Sequence, residues 1–148
     1  MRVVIQRVRE ASVSIGGERV AAIGPGMMVL CGFEEADGTE DLDWTARKIA
    51  ALRIFDDEAG VMNRSVVEVG QDILAVSQFT LMASTKKGNR PSYVKAARPE
   101  TAIPLYERVI ALCQERGFTV QTGEFGADMQ VFSQNDGPVT IILDTKEL

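Results

Sequence analysis

The chain has 148 residues, 45% of them hydrophobic, which is one domain's worth of chain with enough apolar material for a real core. It contains no histidine, so a Ser-His-Asp or Cys-His catalytic unit, a histidine metal site and the usual neutral-pH proton shuttle are excluded. A net charge of −5 argues against a general nucleic-acid binder. It leaves room for a local basic patch, because salt screens a charge beyond roughly 8–10 Å.

The opening Met1-Arg2-Val3-Val4-Ile5-Gln6-Arg7 lacks the layout of a signal peptide, and no apolar run reaches the length of a membrane span. A cytoplasmic protein with no membrane partner is expected. Val3 to Val8 and Ala11 to Ile15 read as strands, and Gly16-Gly17 turns the chain into a third, Glu18 to Ile23. After the break Gly24-Pro25-Gly26, the run Met27 to Phe33 has the composition of a strand buried on both faces. Asp37 and Glu40 have the spacing of a capping box for a helix over about Thr39 to Leu52, with Leu42, Ala46 and Ile49 on its apolar face. Ile54-Phe55 predicts a short strand and Asp72 to Leu81 a longer one. The polar stretch Met82 to Ser92 predicts a loop. A second helix is predicted from about Glu100 to Arg116, stopped by Gly117, with Pro104 awkward inside it. Phe118 to Thr122, Met129 to Ser133 and Val139 to Leu143 complete the strands, the last two joined by a turn at Asn135-Asp136-Gly137-Pro138.

Cys31 and Cys113 each lie in apolar sequence and form no Cys-x-x-Cys pair, so they read as buried thiols, and no metal site or cofactor is expected. With no repeat, linker or low-complexity tract, residues 1–148 are expected to form a single α/β domain. Its sheet is expected to be largely antiparallel and curled, with two main helices.

Two segments depart from ordinary structure. Ser77-Gln78-Phe79-Thr80-Leu81 ends a pure-core strand in polar side chains; the plain reading is a strand emerging into solvent. Asn135-Asp136-Gly137-Pro138-Val139-Thr140 is made of standard turn formers and reads plainly as a hairpin turn. Its Gly-Pro bond could be cis at low cost, which would set two backbone carbonyls toward one side.

Taken together and in order, these two segments resemble the signature motifs of the D-aminoacyl-tRNA deacylases. The resemblance runs the length of the chain, through Val4-Ile5-Gln6-Arg7-Val8, Arg53-Ile54-Phe55, Arg90-Pro91-Ser92 and Ala127-Asp128-Met129-Gln130-Val131. Tyr93 stands where phenylalanine is frequent in that family. The resemblance implies hydrolysis of the ester of D-aminoacyl-tRNA, and of glycyl-tRNA mischarged on a non-cognate tRNA such as tRNA(Ala). It implies a homodimer whose pocket lies at the subunit interface. Carried over, Ser77, Gln78, Phe79 and Thr80 line the chemistry. Gly137 and Pro138 reach in from the partner as a chirality filter, and Arg7 orients them. Lys86, Lys87 and Arg90, a compact basic loop, are expected to contact tRNA; on sequence grounds alone they also read as a solvated loop. DNA is not an expected partner. A tRNA-binding module without catalysis and a structural oligomer with inert polar turns are the competing readings.

Overall fold

A computed structural model describes residues 1–147; Leu148, the last residue of the expected domain, lies outside the described residues. The N-terminal third is a run of three strands, β1 (Arg2–Ile15), β2 (Glu18–Ile23) and β3 (Gly26–Gly32), followed by the helix α1 (Thr39–Ala51). A small hairpin, β4 (Phe55–Asp56) and β5 (Met62–Arg64), and a single helical turn, α2 (Val66–Val69), lead to β6 (Asp72–Ser77). The helix α3 (Pro99–Gln114), β7 (Val120–Thr122) and the long β8 (Gln130–Asp144) complete the chain.

The sheet is mixed, in the order β2-β1-β3-β6-β7, with β8 on the free edge of β1. Pairings of β1 with β2, β3 and β8 are antiparallel, while β3-β6 and β6-β7 are parallel. The parallel pairs arise because each is joined through a helix, which returns the chain to the same end of the sheet. The expected α/β class with a largely antiparallel, curled sheet and two main helices is what is found.

Period-2 alternation decides the two cores. Val3, Ile5, Met27, Val29, Ile73 and Ala75 point at α1 and α3. Val8, Val13, Ile23, Met28, Leu74 and Val76 gather on the other side, inside the curl. Strands β3 and β6 are thus covered on both faces, as their unbroken apolar runs require.

Four expectations need correction. Val3–Val8 and Ala11–Ile15 are one continuous strand, bent enough to pair with β3 along its first half and β2 along its second. Asn135–Pro138 is no hairpin turn: Met129–Ser133 and Val139–Leu143 both belong, in whole or most part, to β8, and both halves pair with β1. Gln6 faces Thr140 while Val8 faces Asn135, so residues 136–139 bulge out opposite Arg7 alone. The strand predicted over Asp72–Leu81 stops at Ser77, and Phe79–Met82 forms a 3-10 turn. Finally, α1 is capped by Gly38, whose N–H donates to Asp41 at 2.9 Å; Asp37 instead accepts from the Met1 amino group and the Glu34 N–H, both at 2.7 Å. Pro104 is accommodated within a continuous α3 because it sits on the exposed face, where the carbonyl it cannot pair with, on Glu100, reaches water.

Candidate active site

A cavity of about 260 Å³ opens where β6 ends, lined by Ser77, Gln78 and Phe79 on one side and by Ala102, Phe125 and Met129 on others. Its shape follows from how β6 stops. The last ladder bond runs from Gln78 N–H to the Cys31 carbonyl at 2.7 Å. The chain then coils, with Leu81 N–H donating to the Gln78 carbonyl and Ala83 N–H to the Thr80 carbonyl. A 3-10 turn leaves its first N–H groups without internal partners. Among the described residues, those of Phe79 and Thr80 take no backbone acceptor.

Gly32 makes room for this turn. A Cβ there would lie 2.9 Å from the Gln78 carbonyl oxygen and 3.0 Å from Leu81 Cβ. Glu35 fixes the far wall. Its carboxylate accepts from Arg98 N–H at 2.8 Å and from the Thr101 hydroxyl at 2.7 Å, and so docks the start of α3 beside the end of β3. Those bonds, the one from Arg98 N–H foremost, hold its carboxyl below the usual glutamate range.

Ser77, Gln78 and Phe79 line the cavity; Thr80 does not, and its Oγ1 accepts a hydrogen bond from Gln78 Nε2. Phe79 is 56% exposed and meets Tyr93 edge-on, with ring centroids 5.2 Å apart. Cys31 also faces the cavity, but burial, with Cys113 adding, pushes its thiol far above neutral pH, so it is no nucleophile. Nothing in the wall is a general base.

Gly137, Pro138 and Arg7 lie away from this cavity within the same chain. Arg7 is nearly buried; its Nε donates to the Asp136 carbonyl at 3.1 Å and its Nη1 to the Ile54 carbonyl at 2.7 Å. The guanidinium therefore grips the base of the β8 bulge. Gly137 has φ +127°, a conformation that side chains resist, and its peptide with Pro138 is cis. Both residues are exposed, on the outer side of β8.

Lys86, Lys87 and Arg90 ride on a loop closed by reciprocal backbone bonds between Ser84 and Ser92, at 2.8 and 2.9 Å. Lys86 lines a cavity, and Lys95 and Arg2 join it there, while Lys87 and Arg90 are not part of that wall. Sequence reading missed these two. Lys95 could have been found from the absence of any acid between Asp72 and Glu100, a signal of local positive charge in an acidic chain.

A curled mixed sheet with a neutral, histidine-free cavity where β6 ends defines a single-domain α/β protein with a cleft at its sheet end. The chain belongs to the D-Tyr-tRNA(Tyr) deacylase family, whose model matches residues 4–144. It is 60% identical to a D-aminoacyl-tRNA deacylase of Bacteroides thetaiotaomicron and 60% identical to one of Dechloromonas aromatica, covering 99% of this chain and 98% of each relative. Among solved structures it is similar to a c-Myc DNA unwinding element binding protein, 42% identical over 98% of this chain and 99% of that one, with a TM-score of 0.92. A structure described as a probable eukaryotic D-amino acid tRNA deacylase shares the fold at 20% identity, with a TM-score of 0.80 over 96% of this chain and 97% of that one.

Proposed function

We propose that this chain, a single domain over residues 1–148, is a D-aminoacyl-tRNA deacylase of the cytoplasm that clears both D-aminoacyl-tRNA and glycyl-tRNA mischarged on a non-cognate tRNA such as tRNA(Ala). Family membership over residues 4–144 supports the activity. The observation that carries the chemistry is the unpartnered N–H of Phe79 at a cavity with no base in its wall, with that of Thr80, also unpartnered, next to it in the same turn. Water attacks the ester carbonyl. The two N–H groups stabilise the oxyanion, and its collapse expels the ribose oxygen, which takes a proton to give free tRNA and the amino acid. The neighbouring 2′-hydroxyl of the terminal adenosine assists the water. Ser77 and Gln78 hold the substrate beside Phe79 and Thr80.

The pocket is completed in a homodimer. Support comes from β8, whose outer edge has no partner strand among the described residues and which exposes Phe132 and Ile142 on either side, in sequence, of Gly137 and Pro138. A two-fold axis brings the bulge of one subunit toward the cavity of the other. There it blocks the space an L side chain needs, while a D-residue or glycine offers only hydrogen at that place. Lys86, Lys87 and Arg90 attract the acceptor end; tRNA, not DNA, is the nucleic-acid partner. No helix among the described residues is long and apolar enough to cross a membrane.

The test compares D-, L- and glycyl-tRNA as substrates of the wild type and of Arg7→Ala. Cleavage of the D- and glycyl esters with L spared is expected. Arg7→Ala, which frees the Asp136 carbonyl, should admit L-substrates more than it slows D-substrates. Loss of D-cleavage with full discrimination retained would refute the filter. A wild type that binds D-aminoacyl-tRNA without cleaving it would favour the binding-module reading.

A further inference from the structure

On the far side of the Phe79–Met82 turn lies a second cavity, of about 370 Å³, walled by Arg2, Glu34, Met82, Ser84, Lys86 and Lys95 among others. We propose that it is a phosphate subsite, which takes a phosphodiester of the tRNA acceptor end while the terminal aminoacyl ester sits in the first cavity. The inference rests on the deacylase reading above and adds to it a specific place, and two residues, for a backbone contact.

Three observations carry it. The first is charge. Residues 73–99 contain five cations and no acid, in a chain whose net charge is −5. Positive charge is therefore concentrated around the turn that ends β6. The second is partnering. Among the described residues, neither Lys86 nor Lys95 has a carboxylate within ion-pair distance, although Glu34 stands in the same wall. Both ammonium groups are left for an anion from outside. The third is placement. The Ser84–Ser92 bridge closes the intervening loop and sets Lys86 and Lys95, one just inside and one just beyond it, on the same cavity. Arg2 completes the rim and is itself fixed. Its Nη1 donates to the Leu81 carbonyl at 2.7 Å and its Nε to Asp144 at 2.9 Å. Through Leu81 it ties this rim to the turn whose first N–H groups face the ester. The two ends of one short turn, Phe79 and Met82, line the two cavities, as one strand that enters both would require. Lys87 and Arg90 lie outside the wall and act only as diffuse attraction.

The experiment measures kcat and KM of the wild type, Lys95→Gln, the double variant Lys86→Gln/Lys95→Gln, and the remote control Arg19→Gln/Arg47→Gln. Each is given D-aminoacyl-tRNA and D-aminoacyl-adenosine, which carries the ester but no phosphate. The double variant should raise KM for the tRNA by roughly ten-fold or more at about 0.1 M salt, and lower the log–log salt slope by roughly 0.7, the value for one single-strand phosphate contact. Its kcat should stay within about two-fold, its kinetics on the adenosine ester should match wild type, and Lys95→Arg should restore KM. An equal loss on both substrates, or a loss on tRNA no larger than the control's, overturns the subsite while leaving the deacylase intact. A wild type that cleaves neither substrate overturns the deacylase reading and the subsite with it.

Discussion

Thr80 Oγ1 accepts its hydrogen bond from a neutral amide, Gln78 Nε2, which cannot take a proton from it. An alcohol without a base is a poor nucleophile at neutral pH. Thr80→Val should therefore keep single-turnover deacylation within about ten-fold of wild type, a loss of up to roughly 1.4 kcal/mol of transition-state stabilisation. An acyl group trapped on Thr80 would refute this. Gly32 is the more sensitive position. A Cβ there meets backbone at 2.9 Å, and backbone gives way only by moving the turn. Gly32→Ala is expected to lower kcat/KM at least ten-fold, with a melting temperature within about 4 °C of wild type, which corresponds to roughly 1 kcal/mol. Circular dichroism melts beside the kinetics separate a displaced site from a damaged fold. The role of Gly32 was not visible in the sequence, where it is one more small residue in an apolar run; the lack of a base for Thr80 was, since the chain has no histidine, but the hydrogen bond from Gln78 was not.

Helix α3 supplies a cavity wall through Ala102, and Glu35 holds its N-terminus with two hydrogen bonds. The folded carboxyl titrates below the usual value near 4.5. Its contribution is therefore fully present above that value and is lost as pH falls through the lower, folded one. The wild type should lose melting temperature more steeply than Glu35→Gln, which cannot protonate there, as pH falls below 4.5; parallel curves would show the contact to be inert. Local pattern announced the elements well where apolar periodicity was strong: α1 is predicted to within a residue and α3 within two. It failed where long-range pairing decides. Residues 135–138 are excellent turn formers, yet β1 pairs with the chain on both sides of them, and the turn survives only as a bulge over Arg7. Likewise the alternation expected through Leu81 ended at Ser77, because coiling there lets Leu81 N–H and Ala83 N–H find acceptors at once.

At the scale of the whole molecule, the 15-residue β8 with an open outer edge would be a liability in a lone subunit. Phe132 is 50% exposed and Ile142 66%. A dimer at micromolar concentration is expected by sedimentation or light scattering, and Phe132→Glu/Ile142→Glu should give a folded monomer with little deacylase activity. A wild-type monomer that remains fully active would count against the shared pocket. The family resemblance supplied candidate site residues and implied that two subunits share them; the sequence alone could not show that within one chain Gly137, Pro138 and Arg7 stand outside the cavity lined by Ser77, Gln78 and Phe79. Strand β1 bears on this in another way. It pairs along most of its length with β8, so that Arg2 faces Asp144 and Ser14 faces Gln130, partners separated by nearly the whole chain. Contacts of such separation pay their loop-closure entropy late. The bulge that Arg7 grips has no place to sit until synthesis has reached the final strand. A chain released early by the ribosome would carry the Ser77–Thr80 segment without the element proposed to discriminate against L-aminoacyl-tRNA, and without the strand proposed to bring in a second subunit.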